Sequence, residues 1–166
     1  MPCAITETPV VGTILAEPVV VRVKDRKGRS FVDLPVTWTV SDRTGGVGES
    51  AGGGFSATFS TRLNSQGESS VIWRLGTVSG SQTITASVAG PGKGKSKTVT
   101  STLDAMVVAG PPAELTVSPT QARVEVADRQ DLDASVMDEF GNDVEDVVVA
   151  WSSAVLSVAS VDTAGT

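Results

Sequence analysis

VKDRKGRSFVDLPVTW, residues 23–38, is answered 113 residues later by VMDEFGNDVEDVVVAW, residues 136–151. Val23, Asp25, Gly28, Asp33, Val36 and Trp38 recur as Val136, Asp138, Gly141, Asp146, Val149 and Trp151. Six residues of these types do not fall into one register twice by chance, so the chain carries two copies of one unit. Each stretch reads as strand, polar turn, strand. Val36, Trp38 and Val40 alternate with Pro35, Thr37 and Thr39, which puts Trp38 on an inward face with valines. The unit is therefore expected to be a β-sandwich module.

Working outward, alternation recurs along the first copy. Val19, Val21 and Val23 alternate with Val20, Arg22 and Lys24 up to the turn Asp25 to Gly28, where Gly28 is free to take positive φ. Strands are expected at Val10 to Leu15, Phe55 to Leu63, Val71 to Leu75, Ile84 to Val88 and Thr98 to Val108. Asn64 to Gly67 and Gly76 to Gly80 read as turns, and Gly45 to Gly54 as a flexible glycine-rich loop. The count is about seven strands, the number in an immunoglobulin-type sandwich. No stretch keeps apolar residues at helical spacing, so no helix longer than about two turns is expected.

Ala109-Gly110-Pro111-Pro112 reads as a short, stiff linker. Charge changes sign there. Residues 1–109 hold 11 Lys and Arg against 8 Asp and Glu, and residues 110–166 hold 2 against 11. The domains are accordingly read as 1–110 and 111–166. In the second, Leu115 to Val117, Val124 to Val126, Leu132 to Val136, Val147 to Trp151 and Val155 to Val161 are expected strands. Only 15 residues follow Trp151, against 70 between Trp38 and the linker, so the second sandwich is expected to be incomplete and the chain a fragment of a longer array.

The 166 residues are 40% hydrophobic and 19% charged, a balance that favours folding over disorder. A net charge of −6 argues against nucleic acid as a partner. Cys3 is the single cysteine, so no intrachain disulfide forms, and a lone thiol near a terminus reads as incidental. Histidine and tyrosine are absent, which removes the usual general base and the commonest metal ligand. No segment reaches the apolar length of a membrane helix, and the first residues lack the pattern of a signal peptide.

The chain resembles the bacterial immunoglobulin-like superfamily. In the first copy the resemblance lies in Val11-Gly12 with Leu15, "PVVVRVKDRKG" from Pro18, "PVTWTV" from Pro35, Asn64 to Gly67, "WRLG" from Trp73 and "GSQTITASVAG" from Gly80. These are similar to the invasin/intimin-type module, and "AGPPAEL" from Ala109 resembles its junction to the next. In the second copy "LTVSPTQARVEV", "LDASVMDEFGNDV" and "VAWSSAVLSVASVDTAG" resemble the shorter group 2 module. Asp128 stands where that pattern has glycine, so its turn is expected to be strained or differently shaped. The resemblance implies extracellular or cell-surface modules of adhesins, secreted enzymes or phage virion proteins, acting as spacers or binders rather than catalysts.

Motifs that suggest chemistry have blander readings. "AGPGKGKS" from Ala89 ends like a phosphate-binding loop at Gly94, Lys95 and Ser96, but a strand-like sequence follows where a helix is needed. "GVGESA" from Gly46 fits a dinucleotide fingerprint and also lacks a following helix. Asp138, Glu139, Asp143, Glu145 and Asp146 offer oxygen ligands for calcium, without the EF-hand spacing. Paired carboxylates for glycoside hydrolysis would need a cleft. Trp38, Trp73 and Trp151 share faces with aliphatic residues and are expected in the core. Phe55 is the aromatic expected to be available to a partner. No residue is assigned a catalytic, cofactor-binding or metal-ligating role, and no cofactor is expected.

The function expected is that of a non-catalytic spacer in a secreted or surface-displayed bacterial protein of adhesin type. Its partners would be neighbouring immunoglobulin-like domains of the same polypeptide, with a glycan or host-cell surface protein as a further candidate. Membrane insertion by this segment is not expected. The alternative is a binding accessory domain of a polysaccharide-degrading enzyme or of a phage virion protein.

Overall fold

A computed structural model describes residues 8–90 and 98–165. Among them there is no helix, and every sheet is antiparallel. The chain divides into two compact units, one ending at Val108 and the other beginning at Ala109.

The first unit is sandwich-like. Its strands are β1 (Val19–Arg22), β2 (Pro35–Val40), β3 (Gly46–Gly48), β4 (Thr58–Arg62), β5 (Glu68–Arg74), β6 (Gly80–Ala89) and β7 (Thr98–Val107). They form a three-stranded sheet, β1-β5-β3, and a four-stranded sheet, β4-β2-β6-β7. The period-2 pattern explains the burial. Along β2, Val36, Trp38 and Val40 are buried while Pro35, Thr37 and Thr39 are exposed. Along β6, Gln82, Ile84, Ala86 and Val88 are buried in the same rhythm. Trp38 and Trp73 are each 1% exposed and share one core with Val47, Val71, Leu75, Ile84 and Val107. Full burial of an indole requires a partner for its N–H. Trp38 Nε1 donates to Thr61 Oγ1 at 2.9 Å and to Ser69 Oγ at 3.3 Å.

Three expectations change. The N-terminal strand is reduced to isolated bridges, Val10 to Val108 in parallel and Ile14 to Arg74. The Phe55 to Leu63 strand begins only at Thr58. The glycine-rich loop is not flexible at its start, because Gly46–Gly48 is a buried strand paired with Ile72 to Arg74 of β5. Its glycines are required by close approach: a Cβ on Gly46 would lie 2.9 Å from Phe55 Cβ, and one on Gly48 would lie 2.6 Å from Gly54 O.

The second unit holds a single hairpin-like sheet of β8 (Glu114–Ser118) and β9 (Asp133–Met137). Shifted back by 113 residues, β9 falls on residues 20–24 and so is the counterpart of β1. The expected strands at Val124 to Val126, Val147 to Trp151 and Val155 to Val161 do not form. Val126 is fully exposed, Val148 is 94% exposed, and the chain turns at Val155, whose carbonyl accepts from Val158 and Ala159. Alternation gives a segment a strand's face, but a strand also needs a neighbour to take its backbone hydrogen bonds. Trp151 is partly buried rather than core, with Gly165 against its ring.

Candidate functional site: the D/N-x-x-G turns and their carboxylates

The residues that mark the repeat build one turn. In the first copy Asp25 Oδ1 accepts from the N–H of Lys27 (2.8 Å) and of Arg29 (2.9 Å). Gly28 N–H donates to Asp25 O, and Asp25 N–H to Arg29 O. In the second copy Asp138 Oδ1 accepts from Phe140 N–H (2.8 Å) and Asn142 N–H (2.9 Å). Gly141 N–H donates to Asp138 O and Asp138 N–H to Asn142 O, bond for bond. Gly28 and Gly141 take φ of 80° and 82°. Asp33 and Asp146, the second recurrent aspartates, take φ of 59° and 58°, a left-handed conformation that aspartate tolerates better than most residues.

The same turn occurs at Asn64, which the repeat alone does not reveal. Asn64 Oδ1 accepts from Gln66 N–H (2.9 Å) and Glu68 N–H (3.0 Å), and Gly67 has φ 76°. Asp162 repeats it in part: its Oδ1 accepts from Ala164 N–H at 2.9 Å, its carbonyl accepts from Gly165 N–H, and Gly165 has φ 89°. The sequence signal was available as Asp/Asn-x-x-Gly. An Asp or Asn side chain here replaces the backbone acceptor, and glycine supplies the positive φ that closes the loop.

Within the acidic cluster, this geometry gives Asp138 a structural task. Asp138 is 3% exposed, and four donors occupy its carboxylate. Besides the two N–H groups on Oδ1, Oδ2 accepts from Gly110 N–H and from Asn142 Nδ2, both at 2.8 Å. Burial pushes its pKa up, but the bonds from Gly110, Asn142 and Phe140 outweigh it and hold the value at about 2. Gly110, read from sequence as linker, is thus fastened to the acidic turn. Glu139, Asp143, Glu145 and Asp146 are exposed, and among the described residues no three Cys, Asp or Glu side chains converge as a metal cage would need. Asp25 is also held below its ordinary value, first by the Arg29 N–H and then by its guanidinium.

The remaining candidates resolve similarly. Phe55 is half-buried, and the Arg74 guanidinium sits over its ring, 5.1 Å from the centroid. Gly94, Lys95 and Ser96 lie outside the described residues, as does Cys3. The strand expected after that loop is present as β7. Gln82, which sequence reasoning passed over, pins the β5–β6 turn from inside. Its Oε1 accepts from Gly76 N–H at 2.8 Å, and its Nε2 donates to Val78 O at 2.7 Å. These polar side chains hold the chain's own backbone.

Comparison with protein-family models, with curated proteins and with solved structures finds no match.

Proposed function

We propose that the chain is a non-catalytic structural segment: two tandem immunoglobulin-like modules of a secreted or surface-displayed bacterial protein, holding other parts of an adhesin-like polypeptide apart. The observation that carries this reading is the use made of the chemical-looking residues. Asp25, Asn64 and Asp138 accept backbone N–H groups of their own turns, and Trp38 and Trp73 fill the core. The fold is thereby given stiff closures without a disulfide, which suits a spacer.

The test is adhesion. Beads coated with the 166-residue chain are applied to glycan arrays and to epithelial cells beside beads coated with an unrelated β-sandwich. The spacer reading expects equal, background retention. Saturable retention lost on Phe55→Ala or Arg74→Ala would overturn it in favour of a binding module.

A further inference from the structure

The covalent joint between the two units is shorter than the stretch Ala109 to Pro112 that reads as a linker. On the side of the first unit, Val108 is bonded through both of its backbone groups. Its N–H donates to Pro9 O at 2.9 Å, and its carbonyl accepts from Val11 N–H at 3.0 Å. On the side of the second unit, Gly110 N–H donates to Asp138 Oδ2 at 2.8 Å, and both residues are buried. Pro111 and Pro112 have fixed φ and no N–H to donate. Ala113 N–H, immediately before β8, then donates to Met137 O at 2.8 Å. Between the anchored residues Val108 and Gly110 lies Ala109.

The oxygen that holds Gly110 is spare to the turn that carries it. Asp25, Asn64 and Asp138 each close their turn with Oδ1. The second side-chain atom differs among them. Asp25 Oδ2 accepts from Arg29 Nε at 2.7 Å, in a pair whose arginine is exposed. Asn64 has an amide nitrogen in that place and closes the same turn, so the turn needs no second oxygen. In the second copy Asn142 stands where the first has Arg29, and its Nδ2 shares Asp138 Oδ2 with the Gly110 N–H, each at 2.8 Å.

We propose that Asp138 Oδ2 is a latch on the joint between the units: by holding Gly110 it reduces the free joint from residues 109–112 to Ala109. At about 3.5 Å per residue, opening the latch lengthens the slack from about 3.5 Å to about 14 Å. The latch does not depend on what the chain as a whole is for.

The experiment uses the full chain labelled with ¹⁵N, beside Asp138→Asn and Asp25→Asn. Each replacement keeps the oxygen that closes the turn, as Asn64 does, and puts an NH₂ group, which cannot accept, in place of Oδ2. In the unchanged chain, Gly110 N–H exchanges slowly and is as ordered as the amides of β8. In Asp138→Asn its exchange speeds up at least about tenfold, its order falls, and the amides of Phe140 and Asn142 keep their rates. The rotational correlation times of the two units, read separately from their strand amides, both shorten. Asp25→Asn changes neither Gly110 nor the correlation times. Free exchange at Gly110 in the unchanged chain overturns the proposal, and so does protection of Gly110 that survives Asp138→Asn. Loss of protection at Phe140 and Asn142 together with Gly110 also overturns it, because Gly110 then follows the whole turn and not Oδ2. Correlation times that stay the same once Gly110 is released overturn it as well, because the length of the joint then does not set the freedom of the units.

Discussion

The two copies share a hairpin bond for bond, yet they surround it differently. Around the first, β5 runs along β1 and a full core closes over Trp38. Around the second, β8 takes the opposite edge of the equivalent strand. Leu132, just before β9, and Ala134 and Val136 of β9 face the side that β5 occupies in the first copy. Gly165 O accepts from Leu132 N–H, and Val144 N–H donates to Val136 O. Because Val136 O accepts from Val144, Val136 faces away from β8, and by alternation so does Ala134. The difference separates two kinds of information. Asp-x-x-Gly closes a turn locally, whereas burial of the tryptophan needs strands from distant sequence.

The largest expected effect compares the tryptophans. Trp38→Ala removes a fully buried indole with two hydrogen-bond partners and should cost about 3–5 kcal/mol. Trp151→Ala removes a partly buried one and should cost less than about 2 kcal/mol. Denaturant titrations of both variants measure this, and equal losses would erase the contrast between the units.

The turn glycines come next. Gly28→Ala and Gly141→Ala meet open space and should each cost about 1–2 kcal/mol, from positive φ alone. Gly67→Ala has the same φ penalty, and its Cβ would also lie 2.8 Å from Ser30 Cβ and 3.0 Å from Val23 O. It should cost about 1–3 kcal/mol more. Equal losses at Gly67 and Gly141 would mean that the crowding of Gly67 against Val23, Ser30 and Phe31 is relieved without cost.

The acidic turn has a pH signature. The Asp138 pKa lies at about 2, below its ordinary 3.8. Its contribution to stability is therefore full above about pH 4 and lost as pH falls through about 2. Unfolding of the second unit, followed by its exchange rates, should become easier across that window. Asp138→Asn should flatten the response there. A response that persists in the variant would assign it to other carboxylates.

The smallest effect is at Ala127, whose φ of 75° is left-handed beside Asp128. The turn expected to be unusual at Asp128 carries its left-handed residue one position earlier. Ala127→Gly should stabilise the second unit by about 0.5–1 kcal/mol, measured in the same titrations.

Much of the first unit was legible because its physics is local. Alternation placed β1, β2, β5, β6 and β7, and valines on the same face marked Trp38 and Trp73 as core. β3 was not legible. Glycine carries no face pattern, and Gly46–Gly48 is a strand because β5 and Phe55 press against it. The second unit was over-read for the converse reason. Val147 to Trp151 and Val155 to Val161 have strand-like faces, but no neighbour hydrogen-bonds them into a sheet. The role of Asp138 was not legible in the composition, because one of its hydrogen-bond donors, Gly110, lies 28 residues away.

The central claim is that one hairpin sits with β5 along its edge in the first copy and, among the described residues, with no strand along that edge in the second. Residue-resolved amide exchange reads this directly. Val21 and Val23 should be protected to near the global stability of the first unit. Ala134 and Val136 should exchange freely, while Ser135 between them is slowed by its pairing with β8. Protection at Ala134 and Val136 equal to that at Val21 and Val23 would contradict the account.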